Sequence, residues 1–372
     1  MPDAVPHRPS ARPQDGAAPV ALAEVGGWPV VLGHLAAGDD LSSAESAAAL
    51  REILEGAATP SQMAAFIFGL RCKGETADEL TGMLGAMLEV AETVPVPDGL
   101  RAKLVDTCGT GGDRAGTINV STIAALVVAG AGVPVCKHGG RAASSRTGSA
   151  DVLEALGVEI ALPPRAVARC IEEAGIGFCF APRYHPAMRH VGPTRRELGV
   201  PTAFNLLGPL ANPGRARYQL VGVGDGRVAE RVATVLGSAG TERAWVVHGH
   251  DGLDELSTAA PSTVVEWRAG ADGVRSFVID PATLGLAPAR LEELKGGDPA
   301  ANAAATRAVL SGAHGAHRDI VLLNAAAALV VVGHAAGLDE GMHRAAESVD
   351  SGAAAGSLHR LVSVSRSEAG KA

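Results

Sequence analysis

Three features of the sequence predict an α/β chain in which a small all-helical N-terminal domain precedes a larger domain with a central, mostly parallel sheet. Helix-start signatures cluster before Leu100, short apolar runs alternate with Ala-rich stretches after it, and the Pro-rich Val94-Pro95-Val96-Pro97 separates the two textures. At 372 residues the chain suits one large domain with a smaller companion.

Residues 1–24 are rich in Pro and Ala without periodicity and are expected to form a disordered tail. From Trp28 to about Glu92 the pattern is helical. Ser42-x-x-Glu45, Thr59-Pro60-x-Gln62 and Thr76-x-x-Glu79 are capping boxes, in which a hydroxyl and a following acid or amide satisfy each other's backbone N–H groups. Pro60 falls at a first helical position, where its missing N–H costs nothing. Gly56 and Gly74 fall where helices should stop. Beyond Leu100, strands are predicted over 103–106, 133–136, 176–180, 219–223, 244–248 and 263–267. Helices are predicted over 121–131, 149–156, 166–173, 227–238 and 320–336. The alternation does not fix strand order. Residues 362–372, rich in Ser and charge, are expected to fray.

Hydrophobic residues make up 47% of the chain and aromatics only 3%, so the core must be built from Ala, Val and Leu. No apolar run reaches the roughly 18 residues of a membrane span. The N-terminal stretch lacks a signal-peptide apolar segment, so a cytoplasmic location is expected. Cys72, Cys108, Cys136, Cys170 and Cys179 are odd in number and show no Cys-x-x-Cys spacing, which points to buried thiols rather than zinc or disulfides. A net charge of −8 argues against a nucleic-acid surface and requires any anionic substrate to be held locally.

The chemistry concentrates in Asp106-Thr107-Cys108-Gly109-Thr110-Gly111-Gly112-Asp113, then Thr117-Ile118-Asn119-Val120-Ser121-Thr122, then Lys137-His138-Gly139-Gly140-Arg141 in a second predicted loop. Glycines that expose N–H groups ahead of a helix, hydroxyls that can reach a metal, and a lysine are parts that hold a polyphosphate. Familiar phosphate loops are excluded. No Gly-Lys-Ser/Thr follows the glycines, and Arg114 and Arg227 stand where dinucleotide fingerprints need glycine. The two-acid signature of the commonest phosphoribosyltransferases is also missing.

Asp251-Gly252-Leu253-Asp254-Glu255 follows a predicted strand, and its adjacent Asp254 and Glu255 can share Mg²⁺ that bridges to phosphates. An acidic helix N-terminus is the plainer reading of that pattern. Asp251 ranks lower, as a turn residue. Lys137 reads as a mobile positive charge or, alone, as a surface lysine. Ser121 reads as a possible metal ligand and as a helix N-cap. His185-Pro186-Ala187-Met188-Arg189-His190 and Thr194-Arg195-Arg196-Glu197 offer arginines for a carboxylate and a flat, partly apolar surface for an aromatic ring. A basic helix face is the alternative.

These motifs, with Lys73-Gly74-Glu75-Thr76, the segment Gly148 to Gly157, His185-Pro186-Ala187-Met188 and Phe204-Asn205-Leu206-Leu207-Gly208-Pro209-Leu210-Ala211-Asn212-Pro213, stand in the order seen in anthranilate phosphoribosyltransferases. The resemblance runs from about Trp28 to about Leu361. It implies a nucleoside-phosphorylase-like phosphoribosyltransferase fold. Residues 25–100, with a return segment near 193–207, would form a helical dimerisation domain, and 101–192 with 208–361 the phosphoribosyl-binding α/β domain. The implied reaction joins anthranilate to 5-phosphoribosyl 1-diphosphate and releases diphosphate, in tryptophan biosynthesis. Gly109, Thr110, Gly111, Gly112, Asp113, Thr117, Asn119, Ser121, Thr122 and Lys137 would bind the donor, and Ser121, Asp254 and Glu255 would place Mg²⁺. Gly109, His138, Gly140, His185, Met188 and Arg195 would bind anthranilate. No general base is assigned.

One position departs from the family, which usually has Asn where this chain has Gly140. That leaves a substituted arylamine as an alternative acceptor. A pyrimidine nucleoside phosphorylase lacks an explanation for the Asp254-Glu255 pair, and a noncatalytic nucleic-acid-binding relative is disfavoured by the negative charge.

Overall fold

The computed structural model describes residues 19–142 and 146–371. Most of the expected N-terminal tail lies outside them. Its last part is ordered, however: Leu22–Val25 forms a 3₁₀ turn and buries Leu22 against the first helices.

Four helices follow, α1 (Gly27–Ala37), α2 (Ser43–Leu54), α3 (Pro60–Lys73) and α4 (Ala77–Glu89). All three capping boxes form. The side chains of Ser42, Thr59 and Thr76 accept from the N–H groups of Glu45, Gln62 and Glu79 at 3.2, 3.3 and 3.2 Å, and the return bonds are made as well. Glu79 has a second task. Buried completely, it accepts from the Leu41 N–H at 2.8 Å and from Lys73 Nζ at 3.1 Å, fastening the ends of three helices together. A one-turn helix α5 (Asp98–Arg101) leads into the sheet.

The sheet has seven strands: β1 (Val105–Gly109), β2 (Val135–Gly139), β3 (Ile176–Phe180), β4 (Tyr218–Gly222), β5 (Arg243–Gly249), β6 (Ser262–Arg268) and β7 (Val274–Ile279). Their order is β3-β2-β1-β4-β5-β6-β7, parallel from β3 to β5 and antiparallel at β6 and β7. The order reverses between β1 and β4, and in open α/β sheets ligands bind beyond the carboxyl ends of strands at such a reversal. Both strands end there in glycine, Gly109 opposite Gly222. Strand β3 matches the prediction, but β1 and β2 run three residues further than read. A strand pattern ends where apolar residues end, whereas in-register pairing with neighbours carries the ladder through Thr107 to Gly109 and Lys137 to Gly139. Strand β7, an edge strand with mostly half-exposed or exposed residues, was not predicted.

Helices α6 (Val120–Gly130), α8 (Pro164–Ala174), α14 (Ala316–Val331) and α16 (Ala353–Ala369) pack with one sheet face, joined by α7 (Ser149–Leu156), α13 (Pro299–Leu310) and α15 (Leu338–Asp350). The stretch expected to fray instead continues α16 to Ala369. Leu361 and Ser365 on it are buried, and Arg366 Nε donates to the Gly157 carbonyl at 2.8 Å, so small and apolar residues on one side hold an otherwise polar helix in place. On the other sheet face α12 (Ala229–Ser238) and the N-terminal helices share a single core. Phe66 and Leu84 pack in the same cluster as Val221, Val223 and Val246. The chain leaves the sheet after β3 through α9 (Ala181–Tyr184), joins that helical core through α10 (Gly192–Leu198) and α11 (Ala203–Leu210), and returns into β4.

Candidate active site

Strand alternation gives β2 two functional faces. Successive side chains point to opposite sides, so Lys137 turns toward α6 and His138 toward the α11 side. Lys137 is not the mobile surface charge that the sequence suggests. It is 2% exposed, and its Nζ donates to the Thr107 carbonyl at 2.5 Å and to Ser121 Oγ at 3.3 Å. Ser121 lies within α6, whose N-cap is Asn119. The cap reading of Ser121 therefore fails by two residues, and its hydroxyl is left to meet Lys137.

Asp254 and Glu255 sit in the β5–β6 connection rather than at a helix N-terminus. Asp254 Oδ2 accepts from the Gly111 N–H at 2.7 Å, and Glu255 Oε1 accepts from the Ser121 N–H at 3.0 Å. Close approach of backbone makes this possible. A Cβ on Gly109 would lie 2.3 Å from Asp254 Oδ2, and one on Gly222 would lie 1.5 Å from the Asp254 carbonyl oxygen. Gly222 is thus a site residue that sequence reasoning passed over, legible only as a second glycine ending a strand. Asp251 is a turn residue as read, its Oδ2 accepting from Ser257 Oγ at 2.6 Å.

The glycine loop commits only some of its amides to the scaffold. The Thr110 N–H donates to the Gly222 carbonyl at 2.8 Å and the Gly111 N–H is held by Asp254, so these two are spent on the fold. The Gly112 and Asp113 N–H groups have no protein acceptor among the described residues. Left-handed backbone at Gly111 (φ 68°) and Gly112 (φ 86°) turns the loop. Thr117 is bridged to Lys295, and Asn119 is fixed by Asn302, whose Nδ2 donates to Asn119 Oδ1 at 2.8 Å. Asn302, on a helix the sequence did not announce, is a further supporting residue. Thr122 is buried, and its hydroxyl has no protein partner.

On the other side, the rings of His138 and His185 meet edge to face with centroids 5.1 Å apart. Both are buried. Burial pushes the His138 imidazole down to about 3 and that of His185 to about 4, so both are neutral near pH 7. His185 Nε2 meets the Ala211 carbonyl at 3.0 Å, whereas His138 Nε2 has no protein partner. Arg195 lies over the Phe204 ring, 5.2 Å from its centroid, with a 3.4 Å bond to Asn205 Oδ1. It is half-buried and makes no ion pair with a carboxylate among the described residues, so its charge is available to a ligand. Met188 packs at the edge of the helical core. Gly140 follows β2, with its carbonyl accepting from the Ala150 N–H at 3.1 Å.

The acid pair suits a hard cation. Burial, then the neighbouring carboxylates Asp113 and Asp254 respectively, push the carboxyls of Asp254 and Glu255 upward, a cost of ionisation that a bound cation relieves. Among the described residues no group of three His, Cys, Asp or Glu side chains gathers that could hold a metal by itself.

Known proteins share both halves of this fold. Residues 29–91 match the helical bundle domain of the glycosyl transferase family, and residues 101–355 match its a/b domain. The chain is 54% identical over 342 residues to an anthranilate phosphoribosyltransferase of Salinispora arenicola, covering 91% of this chain and 96% of that one. It is 53% identical over 330 residues to that of Roseiflexus sp., covering 88% and 95%. Among solved structures, the anthranilate phosphoribosyltransferase of Thermus thermophilus superimposes with a TM-score of 0.84 at 43% identity, covering 90% of this chain and 99% of that one. The Saccharomyces cerevisiae enzyme in complex with PRPP and Mg gives 0.83 at 29% identity, covering 93% and 99%. The chain belongs to the anthranilate phosphoribosyltransferases of the glycosyl transferase family, whose helical bundle and a/b domains it carries in order.

Proposed function

We propose that this chain transfers the 5-phosphoribosyl group of 5-phosphoribosyl 1-diphosphate to the amine of anthranilate, releasing diphosphate, in tryptophan biosynthesis. The observation that carries the reading is the bonded group at the reversal of strand order. Asp254 holds Gly111, Glu255 holds Ser121, and Ser121 meets Lys137, with neutral His138 on the opposite face of the lysine's strand and neutral His185 packed against it. A polyanion and an aromatic ring with a neutral amine require those two environments side by side.

The Gly112 and Asp113 amides, with Asn119, Ser121, Thr122 and Lys137, receive the donor. Ser121, Asp254 and Glu255 are the residues that would hold Mg²⁺, which when bound would neutralise charge on the departing diphosphate. Arg195 pairs with the anthranilate carboxylate, and His138, His185 and Met188 face its ring. The amine nitrogen attacks the anomeric carbon as the bond to diphosphate oxygen breaks with its electron pair, and positioning the two reactants supplies much of the acceleration. The nitrogen loses its proton to water or to the substrate carboxylate. No side chain is needed as a strong base, and neither histidine is charged to oppose the incoming cationic sugar.

The helical unit, residues 25–100 with a return segment near 193–207, is further proposed to pair two copies of the chain. Val30 on α1 and Phe68 on α3 are 39% and 47% exposed there. Incubating the chain with anthranilate, the donor and Mg²⁺, and omitting each in turn, tests the main reading through loss of anthranilate fluorescence. Fluorescence must fall only in the complete mixture. An unchanged signal overturns it.

A further inference from the structure

The segment Phe204 to Asn212 is singled out by the sequence but contributes no ligand in the reading above. The structure ties each charged or ring-bearing acceptor residue to it. Arg195 lies against Phe204 and bonds to Asn205. The Ala211 carbonyl meets His185 Nε2 at 3.0 Å. Asn212, 2% exposed, donates through Nδ2 both to Asp106 Oδ2 on β1 and to the Cys136 carbonyl on β2, at 2.7 Å each. Its Oδ1 accepts from the Gly214 N–H at 2.7 Å, so both donors and one of the two acceptor positions of the amide are used. Asp106, wholly buried, accepts at its other oxygen from the His138 N–H at 3.3 Å. Next to Asn212, the Pro213 carbonyl accepts from the Val94 N–H at 3.2 Å, so the two chain crossings between helical unit and sheet meet at this point.

We propose that Asn212 is a positioning residue for the acceptor, locking the return crossing onto β1 and β2 so that His138, His185 and Arg195 are held in one arrangement. Three features support it. Two of Asn212's bonds cross from the return segment to different strands, which a residue serving only as a turn would not need. The adjacent residue holds the second histidine. Among the described residues Lys137 and the Asp254-Glu255 pair make no hydrogen bond to this segment, and the bond from Cys108 Sγ to the Pro209 carbonyl, a weak one at 3.7 Å, runs from β1 rather than from those donor-side groups. The inference rests on the transferase reading above.

The test is steady-state kinetics with both substrates varied, on the unaltered chain, Asn212→Ala, and Asp106→Asn, which keeps an acceptor for the His138 N–H while setting amide against amide. Asn212→Ala should raise the anthranilate KM at least tenfold and change the donor KM less than twofold. Asp106→Asn should show the same selectivity with a smaller effect, and serves alone if Asn212→Ala does not fold. In a background of His138→Ala with His185→Ala, the Asn212→Ala change should raise the anthranilate KM less than threefold, because neighbours acting through one another are non-additive. Equal rises in both KM values, or full additivity, would assign Asn212 a general stabilising role and overturn the inference while leaving the transferase reading intact. Absence of turnover by the unaltered chain overturns both.

Discussion

Replacing Gly140 by Asn should tighten anthranilate binding without changing the product. A Cβ built on Gly140 meets only the Ala181 Cβ, at 4.0 Å, and its φ lies outside the left-handed region, so the new side chain enters open space without backbone strain. Its neighbours behave differently. A Cβ on Gly139 would lie 2.2 Å from Ser149 Oγ, and one on Gly148 would lie 2.4 Å from the Ala142 nitrogen. The substitution adds an amide beside the acceptor rings, and one ordinary hydrogen bond is worth about 0.5–1.5 kcal/mol. That corresponds to roughly a two- to tenfold fall in the anthranilate KM. Gly140→Ala is the control, filling the same space without a polar group, and should leave KM within about twofold. The assay is initial loss of anthranilate fluorescence at saturating donor and Mg²⁺. A rise in KM for Gly140→Asn would refute the argument from open space. A ring-substituted anthranilate used by the unaltered chain with a much higher kcat/KM than anthranilate would instead show that Gly140 makes room for another acceptor.

Other expectations follow from the same geometry. Asp254→Asn with Glu255→Gln should lower kcat by about 10³-fold, the equivalent of several kcal/mol of charge neutralisation, with an unreduced melting temperature, since two buried carboxylates become neutral amides. Full activity in that variant or in excess chelator removes the metal assignment. Arg195→Ala should raise the anthranilate KM by roughly 10- to 150-fold, since a hydrogen bond to a charged group is worth about 1.5–3 kcal/mol, and should spare the donor KM. Equal effects on both substrates would make Arg195 structural. Gly109→Ala should abolish turnover, because its methyl group would enter the space of the Asp254 carboxylate; retained activity would contradict the packing. His138 and His185 are held below their unfolded value of about 6.5, so on acidification the unfolded chain takes up protons first. Their contribution to stability is therefore intact above about pH 6.5 and is lost as pH falls through about 4 for His185 and about 3 for His138. Their imidazole proton shifts should stay constant from pH 8 to about 5.5, and titration of either near 6.5 would contradict their burial.

Most local signals in the sequence are self-contained, and these survive in the structure. A capping box needs only one turn of chain, so all three are legible, and α7 is recovered residue for residue over Ser149–Leu156. Non-local pairing decides the rest. The extension of β1 to Gly109 depends on Gly222, 113 residues away, and nothing in either stretch alone announces it. Lys137 looks like a surface charge until the pleat carries it under α6. Helix α13 is read past because its Ala-rich sequence has no clear polar face, yet it supplies Asn302 to the site. Helix α16 looks polar because its burial depends on Ala and Ser, whose small size rather than hydrophobicity lets neighbouring helices approach. Asn212 is the same lesson at the site itself. Its motif is visible in the sequence, while its three bonds to β1, β2 and its own turn are a property of the folded crossing.

The most direct test is stoichiometry: anthranilate consumed, diphosphate released and phosphoribosylated anthranilate formed, measured together in single reactions with and without Mg²⁺. The account predicts equal amounts of all three with Mg²⁺ and none above background with chelator. Diphosphate released without matching anthranilate consumption, or turnover undiminished in chelator, would contradict it.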